Sequence, residues 1–146
     1  MSFYATNLSA CRYLVALAAM ASIGSYFMAN MPAAAEGALV VGIPEGGLRN
    51  GFAYGYSLNK KDPGEALKIA TAKCREEAKK QDFELSHCKV VETFSDKCVA
   101  VAMDAEDRWA GWSVASDLKE ATAAAVAKCA KNAKACKLHN SDCDTK

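Results

Sequence analysis

Acidic residues are missing from the first 35 positions of this 146-residue chain, which hold one basic residue, Arg12, and no Asp or Glu. A stretch so poor in charge does not make an ordinary solvated domain surface. Histidine is scarce, with His87 and His139 the only two, so a nucleophilic enzyme that needs an imidazole base has few residues to draw on. No two cysteines stand in Cys-x-x-Cys spacing, which excludes the zinc knuckle. A charge excess of either sign is lacking too. With Arg12 set aside, 17 Lys and Arg face 17 Asp and Glu, and a neutral domain is a poor bulk electrostatic binder of nucleic acid.

What the first segment does contain is order of another kind. Arg12 is followed by an apolar run from Tyr13 to Met31 and by Pro32-Ala33-Ala34-Ala35. Those are the basic region, the apolar region and the small-residue cleavage site of a secretory signal, and they predict a cut after Ala35 with Glu36 as the new N-terminus. An uncleaved anchor is the alternative, since about 18 apolar residues suffice to span a bilayer; the Ala, Ser, Gly and Asn that dilute the run favour cleavage. Leu8-Ser9-Ala10-Cys11 has the look of a lipoprotein acceptor but precedes the apolar run, where it cannot serve as one.

Cleavage removes Cys11 and leaves six cysteines, Cys74, Cys88, Cys98, Cys129, Cys136 and Cys143, in a single domain spanning 36–146. An even cysteine count in a short exported chain reads as a disulfide framework in the periplasm or outside the cell. No stable membrane insertion is expected once the signal is gone.

An internal repeat organises those cysteines. Ala72-Lys73-Cys74 returns as Ala127-Lys128-Cys129, Glu65-Ala66 as Glu120-Ala121, Asp62 as Asp117, and Cys88-Lys89-Val90 as Cys136-Lys137-Leu138. Tyr54-Gly55-Tyr56-Ser57-Leu58 is answered, one residue out of step, by Ala110-Gly111-Trp112-Ser113-Val114. Asp62 with Pro63 and Glu65, and Asp117 with Glu120, are helix-start signals. Leu67, Ala70, Cys74 and Ala78 then fall on one face of the first helix. Residues 38–43, 52–58, 88–94, 99–103 and 108–114 carry strand composition, with turns at Pro44–Gly47 and Asp104–Asp107. The plan is strand, strand, helix, strand, twice over. It predicts an α+β fold: an antiparallel sheet with two helices on one face, built from two ββαβ-type half repeats and stapled by disulfides. Six cysteines allow fifteen pairings. The repeat singles out Cys74 with Cys88 and Cys129 with Cys136, leaving Cys98 for Cys143.

Gly37-Ala38-Leu39-Val40-Val41, the Gly55-Tyr56-Ser57 strand, the Glu65-Ala66 helix ending in Cys74, and Cys98-Val99-Ala100-Val101 together resemble the domain-of-unknown-function family 4189 over most of residues 37–143. The resemblance implies an exported bacterial domain with paired cysteines and supplies no catalytic residues. The Lys-rich second helix and short final strand depart from its pattern.

For chemistry the residues offer little, and no catalytic residue, cofactor or metal site is assigned. His87 beside Cys88 invites zinc, but thiols in an oxidising compartment pair with each other first. Asp104, Glu106 and Asp107 lack the Gly and closing Glu of a calcium loop. Two surfaces remain. Lys128, Lys131 and Lys134 recur every third residue along the second helix, a basic stripe for an anionic partner or simply its wet face. Phe52, Tyr54 and Tyr56 share one face of a strand, with Trp109 and Trp112 on the matching strand. These rings form either an exposed platform or core, and small Ala53, Gly55 and Ser57 on the other side suit a closely packed helix.

The expected function is a non-catalytic exported interaction module for an unknown protein or envelope polymer, an inhibitor or an envelope-binding domain. A periplasmic hydrolase or thiol-disulfide redox protein is the first alternative, and would show one bridge that reduces near glutathione potentials. A structural or stress-related envelope protein without a ligand is the second.

Overall fold

The computed structural model describes residues 36–144. The expected signal segment, residues 1–35, lies outside the described residues. β1 (Glu36–Gly42), β2 (Ala53–Lys60), α1 (Pro63–Lys80) and β3 (Cys88–Ser95) are followed by β4 (Cys98–Asp104), β5 (Ala110–Ala115), α2 (Leu118–Ala130) and β6 (Cys136–Cys143). The antiparallel strands, two helices and three staples of the expected α+β fold are all present. The strands differ from a single sheet: they form two three-stranded sheets, β2-β1-β3 and β5-β4-β6.

The reason lies in the middle strands. Ala38 to Gly42 and Cys98 to Ala102 are buried throughout, so both faces of β1 and β4 need apolar cover. A helix supplies one cover and the other sheet supplies the second. Val40 and Ala38 pack with Ala66, Ala70 and Cys74 of α1, whereas Leu39 and Val41 pack with Val99 and Val101 across the seam between the sheets. Ala100 and Ala102 meet Ala121, Ala125 and Cys129 of α2. The layers therefore run helix, sheet, sheet, helix, with one helix on the outer face of each sheet.

Both helices start where their sequences say. The Asp62 carboxylate accepts from the Glu65 amide at 2.9 Å, and Asp117 from Glu120 at 2.8 Å, satisfying amides that have no partner inside the helix. Their close seat depends on a glycine in each sheet. A Cβ on Gly55 would lie 2.2 Å from the Ala70 carbonyl oxygen and 2.5 Å from the Cys74 nitrogen; on Gly111 it would lie 2.2 Å from Ala125 O and 2.4 Å from Cys129 N.

Disulfides join Cys74 to Cys88, Cys98 to Cys143 and Cys129 to Cys136. The last explains a departure from the expected lysine stripe. Seven helical residues rise about 10 Å, beyond the reach of a disulfide, so the chain must leave the helix between Cys129 and Cys136. α2 ends at Ala130, and Asn132 N donates to Cys129 O to begin the turn. Lys128 is thus helical, Lys131 is the C-cap residue, and Lys134 lies in the turn beyond it.

Candidate functional site

Alternation along β2 sends Ala53, Gly55 and Ser57 toward α1 and Phe52, Tyr54, Tyr56 and Leu58 toward the second sheet. Phe52 is buried in the seam, its ring stacked on Trp112 with centroids 5.5 Å apart. Tyr54 continues the row 5.8 Å from Phe52, and Tyr56 follows 6.4 Å further on, its plane 9° from that of Tyr54. Burial falls along the row, and the two tyrosines emerge half-buried at the end of the seam where β6 crosses β2.

There the rings meet residues from the other half of the molecule. The His139 imidazole stands edge-on to Tyr54 at 6.0 Å, and the Tyr56 hydroxyl donates to Asn140 Oδ1 at 3.0 Å. From above, α1 contributes Lys73, Glu76 and Glu77. Lys73 Nζ donates to the Tyr56 carbonyl at 3.0 Å and lies 5.6 Å from the centre of that ring. These groups enclose an open cleft of about 310 Å³. Burial above all raises the Tyr54 hydroxyl from its ordinary value, with Asn140 acting against it and Glu77 with it. Burial likewise raises Tyr56, assisted by Asp142 and Tyr54 and opposed by Asn140. Both phenols consequently stay protonated at neutral pH and offer hydrogen bonds rather than charge.

The other end of the seam carries the counterpart. Trp112 follows Gly111 on β5 as Tyr56 follows Gly55 on β2 and, with Val41, Ile43, His87, Lys89, Val90 and Val91, lines a groove of about 300 Å³. Trp109 belongs to neither. It precedes β5, packs on the α2 side, and has the Arg49 guanidinium 5.3 Å from its ring centre. Of the aromatic set, then, Tyr54 and Tyr56 come together in a cleft, Trp112 lines a separate groove, Phe52 is core and Trp109 stands apart. Lys128 is engaged as Lys73 is, donating to the Trp112 carbonyl at 2.9 Å.

His139 and Asn140 do not stand out by sequence as partners of the tyrosines. Their placement follows from strand order across 84 residues between Tyr56 and Asn140. The available signal was the repeat itself, in which a polar His139-Asn140 pair follows Leu138 where Val91-Glu92 follows Val90.

Asp104 holds a site of structural character only. Its carboxylate accepts from the Arg108 amide at 2.7 Å and the Trp109 amide at 2.8 Å, closing the β4–β5 hairpin. Among the described residues, no cluster of three or more His, Cys, Asp and Glu is placed to hold a metal ion.

Compared with known proteins, the chain matches one family, described as a domain of unknown function (DUF4189), over residues 37–143. No curated protein and no solved structure matches it. The match spans both sheets, both helices and all three disulfides, and the chain belongs to the DUF4189 family.

Proposed function

We propose that the protein is a non-catalytic binding module that works outside the reducing cytosol, and that it holds a partner protein or envelope polymer in the tyrosine-lined cleft. The cleft itself carries this reading: Tyr54 and Tyr56 from one half and His139 and Asn140 from the other converge on about 310 Å³ of open space. Flat rings with hydroxyl, amide and imidazole groups at their edges suit a ligand that is part apolar and part hydrogen-bonding. Three disulfides in so short a domain support an oxidising location, and no helix among the described residues is long and apolar enough to cross a membrane. Rigid staples also pre-organise the cleft, which lowers the ordering cost of binding.

The test is capture. The oxidised protein is immobilised and envelope extract and culture medium are passed over it, beside a His139→Ala/Asn140→Ala variant. Both side chains are exposed, so the variant should fold. A ligand retained by the wild type and lost by the variant is the expected result. If nothing is retained, or retention ignores the substitutions, the cleft is not the binding site.

A further inference from the structure

Among the described residues, β3 is an edge strand, hydrogen-bonded to β1 alone. It carries the two most exposed valines described, Val90 at 52% and Val91 at 44%. An edge with free amides and carbonyls beside exposed apolar side chains is a template for another strand. The edges of β2 and β5 are treated differently, for there Lys73 and Lys128 reach over from the helices to bond the Tyr56 and Trp112 carbonyls.

We infer that the β3 edge pairs with β3 of a second copy of this chain, antiparallel and about a two-fold axis between Val90 and Val91, giving a dimer with one continuous six-stranded sheet. The argument is register and charge. Centred there, Lys89 faces Glu92 of the other copy, Glu92 faces its Lys89, and the valines face each other. Residues opposite one another in a sheet must project from the same face, and in an unbroken strand positions 89 and 92 project from opposite faces. A bulge between the Leu39–Glu92 and Val40–Val90 pairs removes that obstacle. Lys89 stands opposite Val41 and Glu92 opposite Leu39, and both of those partners face the seam. The bulge therefore puts both charges on one face and makes the self-pairing register possible. β6 has the same bulge, between Val101–Asn140 and Ala102–Leu138, yet the corresponding positions are Lys137 and Asn140, with no acid to meet the lysine. Self-complementarity is a property of β3 and not of the architecture.

Sedimentation of the oxidised protein, from micromolar to near-millimolar concentration, tests the inference. The wild type should form a dimer. Lys89→Glu, which leaves the exposed 3.0 Å Glu92–Lys97 ion pair of the same chain in place, sets like charges across the axis twice and should raise the dimer dissociation constant roughly tenfold or more. Lys89→Glu/Glu92→Lys restores opposite charges and should bring association back. A wild type that stays monomeric throughout overturns the inference, as does a dimer indifferent to Lys89→Glu. The tyrosine cleft lies at the other end of the seam, so neither result bears on ligand capture.

Discussion

The two halves of the domain share everything that packing demands and differ where packing leaves a choice. Both run ββαβ, place the first strand in the middle, seat a helix on a glycine and bulge at the same point of the outer strand. They part company at the ends of the outer strands. Cys98 and Cys143 are cross-strand neighbours joined by a disulfide, and at the matching place Glu36 and Ser95 are neighbours joined by a 2.8 Å hydrogen bond. One seam end presents Tyr56, His139 and Asn140; the other sets Trp112, Val90 and Val91 beside His87 and Lys89. A shared frame with divergent ends supports the proposal that binding lies at the ends, because a residue that merely holds the frame would recur in both halves.

The sharpest way to test this reading is to remove the staple that has no counterpart. Cys98→Ser/Cys143→Ser opens a closure of 45 residues and should cost about 4 kcal/mol on the chain-entropy estimate. Cys129→Ser/Cys136→Ser, with a separation of 7, should cost about 2.5 kcal/mol. Denaturant unfolding of both variants decides; if the short staple matters more, native packing around it and not loop closure sets its value. Next come the glycines. Gly55→Ala and Gly111→Ala each push a Cβ into helix backbone and should each lose about 2 to 3 kcal/mol. Equal losses support equivalent halves, whereas a harmless substitution on one side would show that helix free to shift. The smallest effect is alkaline. Tyr54 and Tyr56 have folded values raised above 10.0, so the unfolded chain gives up those protons first. Their contribution is complete below pH 10 and declines as pH rises through the raised values. Tyr54→Phe/Tyr56→Phe should flatten that decline in thermal melts, and an unchanged slope would show that these two phenols are not its origin.

Much of the frame was legible in the sequence because its signals are local. Asp62 and Asp117 cap helices by themselves, the helix cysteines Cys74 and Cys129 are each followed by a cysteine opening the next strand, and Gly55 and Ser57 announce a close neighbour by their size. What covers the opposite face of β2 is a different kind of question. The alternation of Phe52, Tyr54 and Tyr56 says that one face is aromatic, and not whether water, a helix or a sheet lies against it. The clue to two sheets was Ala38 to Val41 and Val99 to Ala102, apolar at odd and even positions alike, which requires cover on both sides. The cleft was less legible still. Tyr56 and Asn140 meet only because two sheets stack, and neither residue's neighbours in the chain carry that information.

The Asp144 amide donates to the Lys97 carbonyl at 2.7 Å, and Glu36 is paired with Ser95. The first and last described strands thus both end beside the Asp96-Lys97 turn that links the halves. Chain order and spatial order are consequently separable in this domain. A permuted gene that opened the chain at that turn and joined residue 144 to residue 36 through a short linker would encode the second half before the first, with every strand pair, helix seat and disulfide unchanged.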